Sequence, residues 1–381
     1  MLPGFCLKHI KMKSWKLSLL LALLLLFSCG QEKNKQGNTH YKHKLVVYTT
    51  DEFRKSGFEH SIVPDFQNKH KCQLEFVLFR NTAELCKAIK DKANYGKYDL
   101  AIGIDNSFAV SETLAVNFVP PESFDSELLI RETIFDPALR LIPYAYSNLS
   151  LIYNTTQIKN PPQSFGELQD AKYLAQIAIC DPISSGLGRS TLFWSVALFG
   201  SEGYEYLWKS LRKNIYKTYA THTEALEALK RGECSLMIGY NTTPAFLQEL
   251  DPLNKDFQVS MLKEGSYQYI ESIGIHRGTS KSALCNKFVD YFLASEEQKM
   301  VIYKLGMFPA NRKTLLPMHF SAIPFISYSV NDRISNNLIQ EQILSWLDFW
   351  QRLFGYQIAL QEGQISWKLE SYTPSNINKE S

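Results

Sequence analysis

The chain lacks the arrangements on which most hydrolytic, metal-dependent and nucleotide chemistry depends. No Gly-x-Ser-x-Gly, no His-Glu-x-x-His and no Gly-x-x-x-x-Gly-Lys-[Ser/Thr] occurs. Gly186-Leu187-Gly188-Arg189-Ser190-Thr191 has glycines like those of a phosphate loop, but neither its lysine nor its spacing. The 8 histidines are scattered without metal-ligand spacing, and no Cys-x-x-Cys exists, which excludes a zinc ribbon and a thioredoxin-like redox site. Charge of one sign is also missing. Residues 1–28 carry Lys8, Lys11, Lys13 and Lys16 and no acid, so the rest holds 37 Lys+Arg (41 less 4) against 38 Asp+Glu, a net of −1. A near-neutral body argues against a nucleic-acid binder that works by neutralising phosphates. No apolar run is long enough to anchor the chain across a bilayer.

What is present begins with an address. The run LSLLLALLLLF ends at Phe27, follows lysines and is too short for a stable span, so residues 1–28 read as a secretory signal peptide. Ser28 before Cys29, after that run, resembles the lipobox of bacterial lipoproteins, which implies a lipid on Cys29 as the mature N-terminus. Residues 29–43 are polar and aperiodic and read as a flexible tether. Five cysteines then remain, at 72, 86, 180, 234 and 285. Five is odd, so at least one is unpaired, and buried free thiols are the expectation, with a Cys72–Cys86 pair left open.

The body has 45% hydrophobic and 21% charged residues, values of a globular chain. Strand and helix signals alternate: strands at 44–49, 72–79 and 98–104, with a helix over 81–92 opened by Asn81 and Glu84. Residues 117–140 read as a long connection, followed by two strands at 141–146 and 149–153. Ser164 with Glu167 caps a short helix before a strand at 176–180. Helices follow over 187–199 and 203–213, then one over 222–231 opened by Thr221 and Glu224. Strands at 235–239 and 267–276 and helices near 280–294, 296–305 and 336–354 complete the body; residues 357–381 read as a loose tail. The expectation is α/β, in two lobes: 44–145 with 267–356, and 146–266.

In such sheets ligands sit beyond the carboxyl ends of the strands, which singles out Asp105, Ser184–Gly188 and Tyr240–Phe246. Asp105 can accept from a cationic or amine-bearing ligand, or only form a turn with Asn106. Ser184 and Ser185, at a strand-to-helix junction, can hold a phosphate or carboxylate, or only cap the helix. Tyr240 and Phe246 can form a stacking pair, and 13% aromatic content leaves rings to spare for one. His222 falls in the first turn of a helix and points either to a cleft or to solvent.

Together the segments Val47–Phe53, Ala101–Asn106, Leu151–Asn154, Lys159–Ser164, Asp181–Gly188, Tyr240–Phe246 and Met307–Asn311 resemble, in order and spacing, the periplasmic thiamine-binding proteins of bacterial ABC importers. The resemblance covers about residues 44–354. It implies the two-lobed type II periplasmic-binding-protein fold, with two mixed sheets flanked by helices and a hinge between lobes. It implies that Asp105, Ser185, Tyr240 and Phe246 line the ligand site. The chain departs from the family where a tryptophan is replaced by His222, where another is lost near Phe58 and another near Gly306 and Met307, and where Thr50 replaces a tyrosine. His222, Phe58 and Thr50 thereby join the candidate ligand-binding residues. Stacking is worth ~1–3 kcal/mol per ring, so these losses bear on which ligand is held.

The expected function is therefore that of a lipid-anchored, monomeric solute-binding component, not an enzyme and without a cofactor. It would capture thiamine or a thiamine phosphate and deliver it to an ABC permease at the periplasmic face of a membrane. Three alternatives stay inside the fold with another cargo: iron, a polyamine or an oxyanion. Iron would need paired tyrosines, for which Tyr144 with Tyr146 is the nearest candidate. A further alternative is a surface lipoprotein acting as an adhesin.

Overall fold

The computed structural model describes Tyr41, residues 43–324, 326 and 329–354, and the backbone of 358–361 and 364–367. The expected signal peptide, the lipidation site at Cys29 and all of the tether but Tyr41 and His43 lie outside the described residues.

The chain opens with β1 (His43–Thr50), α1 (Asp51–Lys55), α2 (Phe58–His70), β2 (Cys72–Phe79), α3 (Thr82–Lys90), β3 (Leu100–Asp105), α4 (Asn106–Ser111) and a short β4 (Phe118–Val119). β1 lies parallel to both β2 and β3. Leu45, Val47, Leu100, Ala101, Ile102 and Ile104 are all fully buried, as strands covered on both faces require. Asn81 starts α3 by accepting the N–H of Glu84 at 3.0 Å. Helix α2 carries no sequence signal of comparable strength, because Pro64 stands inside it; Phe58, Ile62 and Phe66 hold it by burial in the core.

The two strands expected over 141–153 are one, β5 (Leu141–Asn154), which continues through the polar pair Ser147-Asn148. Both residues are buried because both are paired: Asn241 Oδ1 accepts from the Ser147 hydroxyl at 3.0 Å and the Asn148 amide at 3.1 Å. The second half then runs β6 (Ile177–Cys180), α5 (Gly186–Leu211), β7 (Ile215–Tyr219), α6 (His222–Lys230), β8 (Leu236–Tyr240), α7 (Thr243–Leu250) and β9 (Phe257–Ser260). α5 is interrupted at Gly200, matching the two helices read from sequence. β10 (Gln268–His276) returns to pair antiparallel with β3 and β5. α8 (Ser282–Phe292), α9 (Ser295–Met300), β11 (Phe308–Pro309), α10 (Met318–Ser321) and α11 (Asn336–Phe354) follow, and β12 (Ile358–Gln361) pairs with β13 (Gln364–Trp367) in a separate hairpin.

The strand order is β2-β1-β3-β10-β5-β8-β6-β7, a mixed sheet in which β5 carries pairing from one half to the other. Its Leu141–Asn148 stretch pairs with β10 and its Leu149–Tyr153 stretch with β8. α11 closes the core against α5. Trp208 meets Trp350 edge-on at 4.8 Å and Tyr204 meets Phe349 at 5.3 Å. Trp194, Trp208, Trp346 and Trp350 are all buried in this core. The five cysteines of the body are buried and free, Cys72 and Cys86 included.

Candidate functional site

A cavity of about 510 Å³ opens where the carboxyl ends of β1, β3 and β8 meet the starts of α1, α5, α6 and α7. It is the size of small-molecule sites generally. Its position follows from topology. Strand ends leave loops and helix N-termini pointing into the crevice between the two halves of the sheet.

Thr50, Ser184, Ser185, His222, Tyr240 and Phe246 all line this cavity. Several also serve the backbone. Thr50 caps α1, accepting from the Phe53 amide at 3.4 Å. Ser185 caps α5 through the Gly188 amide at 3.4 Å. Ser184 donates its hydroxyl to Asp181 at 3.1 Å. Burial pushes the Asp181 carboxyl up to about 6. Capping and lining are thus compatible here: the hydroxyls that satisfy helix starts also face the cavity.

The rings form a wall. Tyr240 lies between His222, with centroids 4.7 Å apart and planes tilted by 32°, and Tyr269, at 5.0 Å and 36°. His222 Nε2 is 3.3 Å from the Thr243 hydroxyl. Burial pulls the His222 imidazole down to about 4, so at neutral pH it is an uncharged ring. Phe246 stands over Gly306. A Cβ on Gly306 would come within 2.7 Å of the Phe246 ring, and Gly306 also has φ +65°, so only glycine fits. Phe246 is thus seated against bare backbone. No tryptophan of the described residues lines the cavity.

Two candidates stand elsewhere. Phe58 does not reach the cavity: it is fully buried in the core, 5.3 Å from Phe53 and 5.4 Å from Phe292. Asp105 lies behind the cavity wall. Its Oδ1 accepts the amides of Ser107 at 2.9 Å and Phe108 at 3.0 Å, and the Ser107 hydroxyl as well. Its Oδ2 has no hydrogen-bond partner among the described residues and lies where a Cβ on Gly186 would be, 2.2 Å away. Burial raises its pKa above the usual carboxylate value.

Sequence reading missed the floor. Tyr269 and Glu271, two apart on β10 and so on one face, both line the cavity. Glu271 Oε1 accepts the Tyr269 hydroxyl at 3.0 Å, and Oε2 accepts that of Tyr144. Burial pushes the Glu271 carboxyl up to about 7. Glu52 and Lys55 on α1 and Lys304 before Gly306 are further polar wall residues. The available signal was a glutamate in the middle of the apolar strand Gln268–His276.

Comparison with known proteins places the chain in a family and a fold. Residues 114–359 match the family described as bacterial extracellular solute-binding protein. The chain is similar to a thiamine-binding periplasmic protein of Brucella melitensis, 25% identical over 290 residues, which cover 74% of this chain and 84% of that one. It is similar to one of Haemophilus influenzae, 24% identical over 312 residues, covering 81% and 92%. Among solved structures it superposes on a periplasmic thiamin binding protein with a TM-score of 0.71 at 21% identity, over 81% of this chain and 96% of the other. The fold is that of the type II periplasmic binding proteins, as the resemblance implied. Relatives of this kind bind and carry solutes and do not transform them, so the chain is a binding component and not an enzyme. From its match over residues 114–359, the chain belongs to the family of bacterial extracellular solute-binding proteins.

Proposed function

We propose that this solute-binding protein captures thiamine or a thiamine phosphate in the cavity and delivers it to a membrane permease of an ABC importer, held at the membrane by a lipid on Cys29. The observation that carries the ligand is the ring wall of His222, Tyr240 and Tyr269, with Phe246 opposite bare glycine, in a chain whose curated relatives are thiamine-binding. A flat heteroaromatic cation stacks on such a wall, and each ring contributes ~1–3 kcal/mol. Tyr240 and His222 would take one face of the ligand and Phe246 another. Ser184 and Ser185, at the start of α5, would hold the hydroxyl or phosphate end, where free amides favour an anion. Thr50 would supply a further hydroxyl contact. Asp105 would act from behind the wall, as a negative field and not as a contact. Residues 44–145 with 267–356 and residues 146–266 would be the two lobes that close over the ligand.

Iron fits this reading less well, because the tyrosine pair it would need is engaged elsewhere. Tyr144 gives its hydroxyl to Glu271, and Tyr146 stacks on Phe308 at 5.2 Å. Both side chains are thereby held in the protein's own packing, and burial raises both phenols above their ordinary value.

Isothermal titration of the purified protein with thiamine, then its mono- and diphosphate, tests this reading. Micromolar or tighter binding is expected for at least one of the three. No heat with any of them, from a folded sample, overturns the ligand while leaving the fold and family intact.

A further inference from the structure

The cavity floor holds an acid that the protein itself leaves without a cation. Glu271 is partly open to the cavity, and two tyrosyl hydroxyls fix its orientation: Tyr269 on the same strand and Tyr144 from β5. No lysine, arginine or histidine forms an ion pair with it among the described residues. The lysines of the cavity are engaged or apart: Lys230 pairs with Glu227 at 2.8 Å, and Lys55 and Lys304 make no bridge to Glu271. The charged groups that act on Glu271 are other acids, Asp105 behind it on β3 and Glu52 across it on α1. The remaining titratable neighbours are the phenols Tyr144, Tyr269 and Tyr240 and, beyond Tyr240, the neutral His222.

An inward-facing carboxylate among acids is costly unless something positive arrives to meet it. Two donated hydroxyls orient it but leave its charge uncompensated. The ring wall of Tyr240 and Tyr269 rises beside it, and π faces attract cations in the same place.

We propose that Glu271 is the counter-ion of the ligand, so that the cavity selects organic cations over neutral molecules of the same shape. This deepens the thiamine reading and shares its site, but it holds for any heteroaromatic cation. The empty site also carries a proton linkage. Burial and the neighbouring acids put Glu271 near neutrality, about 7, so part of the unliganded population holds a proton there. A bound cation favours the carboxylate and releases that proton to solvent. Affinity for a cation therefore rises with pH through the neutral range, by up to tenfold per unit below the midpoint. The three phenols and His222 do not titrate in that window. Asp105 and Glu52 are also raised, and the variants below separate them from Glu271.

The test is calorimetry on the purified protein with thiamine and an N-alkylpyridinium cation at pH 5.5 to 8.5, and with 4-amino-5-hydroxymethyl-2-methylpyrimidine at pH 8.5, where it is neutral, for the native protein, Glu271→Gln and Tyr269→Phe. At least one cation is expected to bind, and Glu271→Gln should weaken it at least tenfold and flatten its pH dependence. The neutral pyrimidine should bind native protein and Glu271→Gln alike. Tyr269→Phe removes a hydrogen bond that favours the carboxylate, so it should move the pH midpoint upward and keeps the proposal testable if Glu271→Gln fails to fold. Two results overturn the proposal: cation affinity unchanged by Glu271→Gln, or no cation bound by a folded native protein. If thiamine fails but the pyridinium binds through Glu271, the counter-ion stands and the thiamine reading falls. If thiamine binds natively and Glu271→Gln changes nothing, the reverse holds.

Discussion

The hydroxyl of Thr223, at the start of α6, lies 3.3 Å from Oε1 of Glu52 on α1. Both residues line the cavity, one from each half of the sheet, so this hydrogen bond spans its mouth. In the two-lobe reading proposed above, it would form as the lobes close and would favour the closed arrangement. Thr223→Ala is expected to weaken ligand affinity two- to tenfold, roughly 0.4–1.4 kcal/mol for one exposed hydrogen bond to a charged group. Small-angle scattering should show a larger radius of gyration for the unliganded variant than for the native protein. An identical profile and affinity would show that the contact does not bias closure.

Tyr240 and Phe58 offer a paired test of the site against the core. Tyr240→Ala removes the central ring of the wall and should lower ligand affinity at least tenfold, with folding retained. Phe58→Ala empties a fully buried core position and should cost about 3–5 kcal/mol of stability. Affinity per folded molecule should stay at the native value. Titration and urea melts on both variants read the two effects separately.

Gly186 opens α5 with the Asp105 carboxylate against it. An added methyl would sit 2.2 Å from Asp105 Oδ2, and three hydrogen bonds to Oδ1 keep that side chain from yielding. Gly186→Ala, ordinarily favourable in a helix, should instead destabilise by about 1–3 kcal/mol. A rise in the denaturation midpoint would contradict the packing described.

His222 gives a pH signature. Its folded pKa is depressed to about 4 by burial, below the ordinary 6.5. Its contribution to stability is fully present above pH 6.5 and is lost as pH falls toward 4, since the unfolded chain takes the proton first. The size is about 3 kcal/mol across that window. Glu271 runs the other way: its raised pKa makes its contribution fall as pH rises from 4.5 toward 7. Comparing urea melts of the native protein with His222→Phe between pH 4 and 7 isolates the first effect. The difference between the two should grow steadily in favour of the variant as pH drops.

Much of the site was legible because it is local. Asn81, Ser185 and Thr221 announce helix starts through short-range caps, and those starts bring Ser184, Ser185 and His222 to the cavity. Tyr240 stands at the end of an apolar strand and Phe246 early in the next helix, within one short segment. Phe58 illustrates the opposite case. Phe58, which the resemblance suggested for the ligand site, points in this chain into the core between Phe53 and Phe292. Which way a side chain faces was settled by α2 and α8, elements distant in sequence.

The sequence alone determined the alternation of strands and helices, the α/β class and the strand ends that line the cavity. Each follows from periodicity and capping within a dozen residues. The tertiary structure decided that 141–154 is one strand, because Asn241 and Thr242, distant in sequence, pair with its buried Ser147-Asn148 and make them tolerable. It also decided the floor of the cavity. Tyr144, Tyr269 and Glu271 converge only once β5 and β10 lie side by side, and that pairing joins residues 127 apart in the chain. A carboxylate's charge state depends on which acids and hydroxyls surround it, and that company is assembled by long-range packing and not by neighbours in sequence.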